Sequence, residues 1–510
     1  MNGGQLPHET RPTKQPLPNQ TPHVTVPRAP QRVPSGIKGL DTILNGGLLR
    51  GGIYFITGQP GTGKTILCNQ MAFNHVTSGG RVVFASLLTE THDRLFSQLR
   101  AFSFFKPEVI GGELYYVSAY ATMQREGLDG LLNLLHGVIR DNKATLLILD
   151  GALDAGAVAR TDSHFREFIQ KLQLFAEGYG CTTLMLNSII GGPSSADFIT
   201  GRTTVDGIIH LSDKLVGLRS VRELQVQKLR GSSYLEGLHA LQITPNGIEV
   251  YPRLETMIRN VDRGLDIANR ERLSTGVAGL DKLLHGGLLA GSSTALLGPP
   301  GSGKTVLGLH FLAEGARQGQ RGLYFGLNES PALTIDAGDQ VGLKFKELVE
   351  QELVQVMWQP ALEESLDVIA NTLLTAVLEN KPQRLFLDGL DALDDVNVDN
   401  ERMPLFFTAL MTELHTLGVT TISAIELKSI FGPSTNIPIE GLSARVENII
   451  FMRYVEIRSE LQRIISILKT RRTGHEGAIT EFQITDQGIK TGGKFEGAEA
   501  MLTGVARTLL

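Results

Sequence analysis

Two glycine-rich segments carry the residue types that bind phosphate groups. They read GQPGTGKT at residues 58–65 and GPPGSGKT at residues 298–305, and each follows a short apolar run. This pattern is that of a P-loop. Its glycines let backbone N–H groups converge on phosphate oxygens, its lysine neutralises the β- and γ-phosphates, and the hydroxyl of its last residue can bind Mg²⁺. The sequence therefore predicts two sites for ATP and Mg²⁺. The predicted binding residues are Gly58, Gly61, Gly63, Lys64 and Thr65 in the first site and Gly298, Gly301, Gly303, Lys304 and Thr305 in the second.

Acidic residues follow each P-loop at matching distances. Asp150 ends the apolar run LLILD and Asp388 ends RLFLD, so each carboxylate is a candidate for holding Mg²⁺ through water, with a turn or helix-capping role as the alternative. Hydrolysis also needs a group that orients and deprotonates the attacking water. Glu90 and Glu329 follow the next apolar run after each P-loop and are the candidate bases, the alternative being ordinary solvated glutamates.

A pair of cations recurs later in each half. Lys228 and Arg230 occupy alternate positions in KLR, and Lys469 and Arg471 do so in KTR. On a strand, alternate side chains point to one face, so each pair predicts contact with an anion. We expect that anion to be the phosphates of a nucleotide held by a neighbouring subunit, in the manner of an arginine finger. An exposed strand face with ordinary salt bridges is the alternative reading.

The elements that must position these residues are themselves duplicated. GLDTILNGGLL at residues 39–49 recurs as GLDKLLHGGLL at 279–289, and the two P-loops keep the same spacing of 240 positions. Short apolar runs such as IYFITG and TTLMLN are typical of buried strands, and the stripes between them are typical of packed helices. The pattern predicts an α/β protein with a mainly parallel sheet in each of two tandem domains.

The domain boundaries follow from composition. Residues 1–30 are rich in Pro, Gln and Thr and are expected to form a disordered arm. The first domain is expected at residues 31–254, a charged linker at 255–272, the second domain at 273–491 and a short tail at 492–510.

Composition excludes several classes of protein. The 510 residues are 42% hydrophobic and 20% charged, with two cysteines and a formal net charge of −5. This balance is typical of a soluble protein, gives no disulfide framework, and does not favour a general nucleic-acid coat. No apolar run is long enough to span a membrane, so a cytoplasmic location without membrane attachment is expected.

The upstream GLDxxLxGGL, the P-loops, the strands that end in aspartate and the KLRG segment together resemble the RecA-like superfamily. Their tandem arrangement resembles the KaiC family of circadian-clock ATPases, and YVEIR at 454–458, with KTR and His475 beyond it, is a specific match to the second KaiC domain. The resemblance implies two tandem RecA-like P-loop NTPase domains and a two-tiered homo-oligomeric ring, usually a hexamer, with ATP between subunits. It also implies slow ATP hydrolysis in the first tier and, in KaiC itself, serine/threonine autophosphorylation in the second.

This sequence departs from the KaiC pattern at several of those positions. Leu88 and Thr89 stand where the first KaiC domain has two adjacent glutamates, and Asn328 and Glu329 stand there in the second. Counting back from YVEIR places Ser443 and Ala444 at the phosphorylated Ser-Thr pair, which leaves Ser443 as the candidate phosphosite. The segment after residue 487 does not match the KaiC segment that binds its clock partner, so the resemblance carries no clock role and the identity of any protein partner stays open.

Two other functions compete with a KaiC-like ATPase. A nucleotide-gated scaffold would bind ATP at both sites with little hydrolysis, because the glutamates are displaced. A RecA-like DNA motor would bind nucleic acid through the loop that begins at residue 189, but that loop carries Arg202 as its only cation and Asp197 offsets its charge. Nucleic-acid binding is therefore the least expected of the three.

Overall fold

The computed structural model describes Met1, Gly3 and residues 31–89, 91–151, 162–188, 204–258, 271–362, 364–396, 401–427, 441–457, 460–494, 498–499 and 507–508. All of the predicted N-terminal arm except Met1 and Gly3, most of the predicted linker and nearly all of the loop that begins at residue 189 lie outside these residues.

The strands of the first half form a small ribbon and one large sheet. The ribbon pairs β1 (Arg32–Val33) with β2 (Leu48–Leu49). The sheet contains β3 (Ile53–Gly58), β4 (Val82–Ser86), β5 (Leu114–Ser118), β6 (Leu146–Asp150), β7 (Thr182–Ser188), β8 (Gly207–Val216), β9 (Arg219–Leu229), β10 (His239–Thr244) and β11 (Gly247–Tyr251).

The second half repeats this arrangement. Its ribbon pairs β12 (Arg272–Leu273) with β13 (Leu288–Leu289). The sheet contains β14 (Ser293–Gly298), β15 (Gly322–Gly326), β16 (Val354–Trp358), β17 (Arg384–Asp388), β18 (Thr420–Glu426), β19 (Asn448–Ile457), β20 (Glu460–Thr470), β21 (Thr480–Thr485) and β22 (Gly488–Lys494). A last short ribbon pairs β23 (Ala498–Glu499) with β24 (Arg507–Thr508).

Each large sheet is parallel at one end and antiparallel at the other. The order is β5-β4-β6-β7-β3-β8-β9-β10-β11 in the first half and β16-β15-β17-β18-β14-β19-β20-β21-β22 in the second. The first six strands of each order run parallel, and the last three are joined by antiparallel hairpins. The P-loop strands β3 and β14 are therefore central, and their carboxyl ends share one edge with the other parallel strands.

Helices cover both faces of the two sheets. In the first half they are α1 (Lys38–Ile43), α2 (Lys64–Thr77), α3 (His92–Leu99), α4 (Tyr120–Asn142), α5 (Asp162–Tyr179) and α6 (Leu254–Met257). In the second half they are α7 (Ala278–Leu283), α8 (Lys304–Arg317), α9 (Pro331–Gln340), α10 (Phe345–Glu350), α11 (Leu366–Asn380), α12 (Ala392–Val396), α13 (Arg402–Thr416) and α14 (Leu442–Arg445). A 3₁₀ turn lies at Pro107–Val109, and α4 is interrupted at Gly127, where φ is 67°.

Buried apolar side chains fill the space on each side of each sheet, which explains why the strands read as continuous apolar runs. β3, for example, is buried over all six residues. Two layers of helices around a mainly parallel sheet, present twice, confirm the predicted fold class of two tandem RecA-like α/β units. Among the residues that the structure describes, no helix combines the length and hydropathy required to cross a bilayer.

The two halves touch through an ion cluster. The guanidinium of Arg402, at the start of α13, donates to both carboxylate oxygens of Glu255 in α6, at 2.8 and 3.0 Å. Its Nη2 also donates to Asp367 in α11 at 2.5 Å, and that carboxylate accepts the Leu254 N–H at 3.2 Å. The cluster therefore ties the helix at the end of the first sheet to two helices of the second half.

Candidate functional site

The first P-loop connects β3 to α2 in the form that binds phosphate. Gly63 precedes α2 with φ of 98°, a left-handed conformation that favours glycine. The Lys64 ammonium lies across the loop and donates to the carbonyl oxygens of Gly58 and Gln59, both at 2.9 Å. Burial lowers the pKa of Lys64, although the Asp150 carboxylate acts in the opposite direction. The ammonium is therefore held against the backbone of its own loop.

The second P-loop has the same geometry between β14 and α8. Gly303 has φ of 99°, and Lys304 Nζ donates to the carbonyl oxygens of Gly298 and Pro299 at 2.9 Å. A Cβ on Gly303 would lie 2.8 Å from the Cδ1 of Ile484, so a larger residue would have to displace that methyl group as well as adopt a left-handed backbone. Burial lowers the pKa of Lys304, and neighbouring carboxylates partly offset that effect.

Each P-loop threonine lies beside the aspartate predicted from the sequence. Thr65 Oγ1 is 3.4 Å from Asp150 Oδ2, and Thr305 Oγ1 donates to Asp388 Oδ2 at 2.8 Å. These pairs bring together residues more than 80 positions apart, because β6 and β17 end at the same sheet edge as the P-loops. An ammonium, a hydroxyl and a carboxylate thus converge at each P-loop, which fits the donor set for a polyphosphate and hydrated Mg²⁺.

The two aspartates differ in their surroundings. The hydroxyl of the buried Tyr324 donates to Asp388 Oδ2 at 2.9 Å, whereas Phe84 occupies the matching position in the first half. Burial raises the pKa of Asp388, and the hydrogen bonds from Thr305 and Tyr324 only partly oppose it. The second carboxylate is therefore held by two hydroxyl donors on one oxygen.

A cavity of about 90 Å³ lies beside the first site. Thr65, Asp150, Phe84 and His92 are among its lining residues. The Nε2 atom of His92 is buried and has no hydrogen-bond partner among the described residues, and burial lowers the pKa of this imidazole. A polar cavity of this size has room for several water molecules next to the predicted metal position.

Of the two candidate bases, only Glu329 can be located. Glu90 lies outside the described residues, as does Arg202 of the candidate DNA-binding loop. Glu329 is a surface residue after β15, and partial burial together with the nearby Asp388 carboxylate raises its pKa. Because β15 lies on the far side of β17 from the P-loop strand, Glu329 approaches the site from the Asp388 side.

The predicted cation pairs lie away from the P-loop of their own half. In the sheet, Lys228 of β9 lies opposite Ile208 of β8, and Ile208 lies opposite Phe55 of β3. Phe55 is three residues before Gly58, where the P-loop begins. Three strand residues span about 10 Å. Lys228 is therefore displaced by about that distance from the level of the P-loop, toward the amino end of β3. Lys469 has the same position relative to β14 through Ile449 and Ala295. Arg230 and Arg471 each follow directly after the last residue of their strand.

The second cation pair lies beside the predicted phosphosite. Ser443 is an exposed residue of α14, and its carbonyl oxygen accepts hydrogen bonds from Lys469 Nζ and, at 3.3 Å, from Arg471 Nη2. Lys469 also donates to the Val446 carbonyl at 3.0 Å. In the first half, Lys228 Nζ donates to the Val205 carbonyl at 2.6 Å.

Two residues at the second site were missed by the sequence reasoning. Tyr324 contacts Asp388, and Glu426, at the end of β18, lies 3.5 Å from the Lys304 ammonium. A signal was available, because the repeat spacing pairs Tyr324 with Phe84 and Glu426 with Ser188. A hydroxyl at 324 and a charge at 426, each present in only one copy, mark where the two sites differ.

Known proteins match this chain over almost its whole length. The family model described as "ATPase: KaiC" matches residues 33–255 and again residues 273–494. The chain is 28% identical to the circadian clock oscillator protein KaiC of Thermostichus vulcanus, over 93% of this chain and 91% of the relative. It is 27% identical to the KaiC of Synechococcus elongatus, over 92% and 90%, and 26% identical to KaiC 1 of Synechocystis, over 96% and 94%. The chain belongs to the KaiC ATPase family and carries the family's nucleotide-binding ATPase domain twice.

Proposed function

We propose that this chain binds ATP with Mg²⁺ at both P-loops and hydrolyses it to ADP and phosphate. The observation that carries the proposal is the convergence of a P-loop lysine, a threonine and a strand-ending aspartate in both halves. Bound Mg²⁺ would supply positive charge to the phosphates. Lys64 and Lys304 would bind the phosphates, Thr65 and Thr305 would hold the metal through their hydroxyls, and Asp150 and Asp388 would orient those hydroxyls and help to hold the metal through water.

The bases in this proposal are Glu90 and Glu329. Each would orient a water molecule and accept its proton while the water oxygen forms a bond to the γ-phosphorus and the bond to the β–γ bridging oxygen breaks. The raised pKa of Glu329 supports this role, because a base with a pKa closer to neutrality accepts a proton more readily.

The nucleotide sites are completed by a second copy of the chain. Lys228 and Arg230, and likewise Lys469 and Arg471, lie toward the opposite edge of the sheet from their own P-loop, so they serve the phosphates of a neighbouring subunit. Contacts that run from one copy to the next in this head-to-tail way form a ring where the rotation between copies closes, and an open filament where it does not. A cytoplasmic homohexamer is the assembly that we propose, and its protein partner is not specified by the site.

Serine autophosphorylation is proposed for the second tier. Ser443 is exposed, and its backbone is bound by the two cations that would reach the neighbour's phosphates. The Ser443 hydroxyl would then lie near the γ-phosphate of the adjacent subunit. The test is mass spectrometry of protein incubated with Mg-ATP. One phosphate on the peptide that contains Ser443, absent in Ser443→Ala, is expected, and an unmodified peptide after many ATP turnovers would refute it.

A nucleotide-gated scaffold is the second candidate function. Leu88 and Asn328, which stand at glutamate positions of the KaiC pattern, favour it, because neither side chain can accept a proton from water. The scaffold predicts ATP-dependent assembly without ADP production, so ADP release separates the two functions.

The main experiment measures oligomeric mass and ADP production together. Wild type with Mg-ATP is expected to form hexamers and release ADP, and Lys64→Ala and Lys304→Ala should each remove the turnover of one tier. The exposed Lys38→Ala is the control for loss of a lysine. ADP release by the double variant at the wild-type rate would contradict ATPase activity at these loops, and a monomer with Mg-ATP would contradict the ring.

A further inference from the structure

Glu426 places a carboxylate on the second P-loop lysine. It is the last residue of β18, and its Oε2 lies 3.5 Å from Lys304 Nζ. The side chain of Lys304 is 10% exposed and that of Glu426 is 42% exposed, so the pair is partly open to solvent on the glutamate side. Lys304 is the ammonium that a P-loop provides for the β- and γ-phosphates. Glu426 and a bound phosphate would therefore share one cation.

The position of Glu426 is determined by backbone contacts on both sides. Its N–H donates to Asp391 Oδ1 at 3.1 Å, and the N–H of the next residue, Leu427, donates to the Gly298 carbonyl at 3.1 Å. The same Gly298 carbonyl accepts from Lys304 Nζ. β18 also lies between the P-loop strand β14 and the strand that ends at Asp388. Glu426 thus ends the strand that lies between the P-loop strand and the strand that ends at Asp388.

The first site has no charge at this position. β7 and β18 are matching strands, and their terminal residues Ser188 and Glu426 pair with the first P-loop glycines, Gly58 and Gly298. At this strand-end position, the second site therefore carries a carboxylate where the first site carries an uncharged hydroxyl.

We propose that Glu426 is a specificity-determining residue that competes with the terminal phosphate of ATP for Lys304. Like charges repel strongly where water is partly excluded, and the γ-phosphate adds negative charge that ADP lacks. The second site therefore holds ATP less tightly, relative to ADP, than it would with an uncharged residue at 426. This inference rests on the proposed nucleotide binding at the second P-loop.

The test measures nucleotide affinities of the second site alone. Full-length Lys64→Ala protein, with and without Glu426→Gln, is titrated by calorimetry with Mg-ADP and with the non-hydrolysable β,γ-imido analogue of Mg-ATP. Glutamine keeps the size of the side chain and removes its charge. The expected result is binding of the ATP analogue about five- to tenfold tighter in Glu426→Gln, with ADP binding changed by about twofold or less. A purely structural role for Glu426 would weaken both nucleotides instead.

The first site provides the matched controls. In the Lys304→Ala background, Ser188→Ala should leave both affinities unchanged, and Ser188→Glu should weaken the ATP analogue more than ADP. Equal changes for the two nucleotides, or weaker binding of the analogue in Glu426→Gln, would overturn the specificity role. Failure of the Lys64→Ala parent to bind either nucleotide would instead overturn the proposed function of the second P-loop.

Discussion

Replacing Arg402 by methionine removes the guanidinium that binds both carboxylates of the ion cluster joining the two halves. Arg253, 3.8 Å from Glu255, is the other described cation of this cluster and does not replace Arg402 at Asp367. Methionine retains an apolar stem but leaves the carboxylates of Glu255 and Asp367 without the guanidinium that binds them. The side chain of Asp367 is 2% exposed and that of Glu255 is 12% exposed. Solvent therefore cannot replace the lost partner at Asp367, and the substitution leaves buried negative charge unpaired.

The expected cost is about 3–5 kcal/mol at pH 7, the range for removing one partner of a buried ion pair. Burial already raises the pKa of Asp367, and Arg402 opposes this rise, so the substitution raises the pKa further. An aspartate whose pKa is higher in the folded than in the unfolded protein destabilises the fold at a pH above that raised pKa. The destabilisation disappears at a pH low enough for the aspartate to be protonated in both the folded and the unfolded protein. The loss of stability should therefore be smaller at pH 5 than at pH 7.

Differential scanning calorimetry at both pH values measures this effect, and hydrogen exchange of α6 and α11 locates it. Lys346→Met is the matched control. The side chains of Lys346 and its partner Glu350 are 68% and 65% exposed, and their charged atoms lie 4.0 Å apart. Exposed ion pairs of this kind contribute about 1 kcal/mol or less. Adding Glu255→Gln and Asp367→Asn to Arg402→Met should recover much of the loss. A destabilisation below about 1 kcal/mol, or one of equal size at the two pH values, would refute the assignment of an unpaired buried charge.

Three further substitutions test the packing and titration of the core. Gly39→Ala would place its Cβ 1.7 Å from the carbonyl oxygen of Val250, so we expect poor folding or a large drop in melting temperature, and a wild-type melting curve would contradict the packing. Gly137→Ala is its counterpart in α4, where a Cβ has no neighbour within 4 Å, and calorimetry should show a gain of about 0.5–1 kcal/mol. The His310 imidazole accepts a hydrogen bond from the Ile489 N–H at 3.0 Å, and burial lowers the pKa of His310 from 6.5 to about 4. The neutral imidazole therefore contributes stability above pH 6.5, and this stability is lost as the pH falls toward 4. His310→Gln should remove up to about 3 kcal/mol of that pH dependence, and an unchanged dependence of the melting temperature on pH would count against it.

Local patterns sufficed for much of the fold and the site. The apolar runs predicted the strands because a strand buried on both faces needs continuous apolar side chains, and β3 and β6 lie where those runs are. The P-loop pattern and the strand-ending aspartates predicted that Thr65, Thr305, Asp150 and Asp388 hold Mg²⁺. The structure brings each threonine beside its aspartate, because parallel strands end at one edge of the sheet. The role of Glu90 as a base stays a prediction, because Glu90 lies outside the described residues. The apolar pattern did not single out Tyr324, because its hydroxyl is part of an otherwise apolar strand.

The sequence by itself determined the duplication, the two P-loops and the parallel α/β class, because these depend on spacing along the chain and on residue type. Only the tertiary structure decided which distant side chains meet. Glu426 contacts Lys304 because β18 lies between β17 and β14, and strand order is a property of the whole sheet. Arg402 meets Glu255 because the end of one half packs on helices of the other. Such contacts depend on packing between remote elements, which no periodicity along the chain encodes.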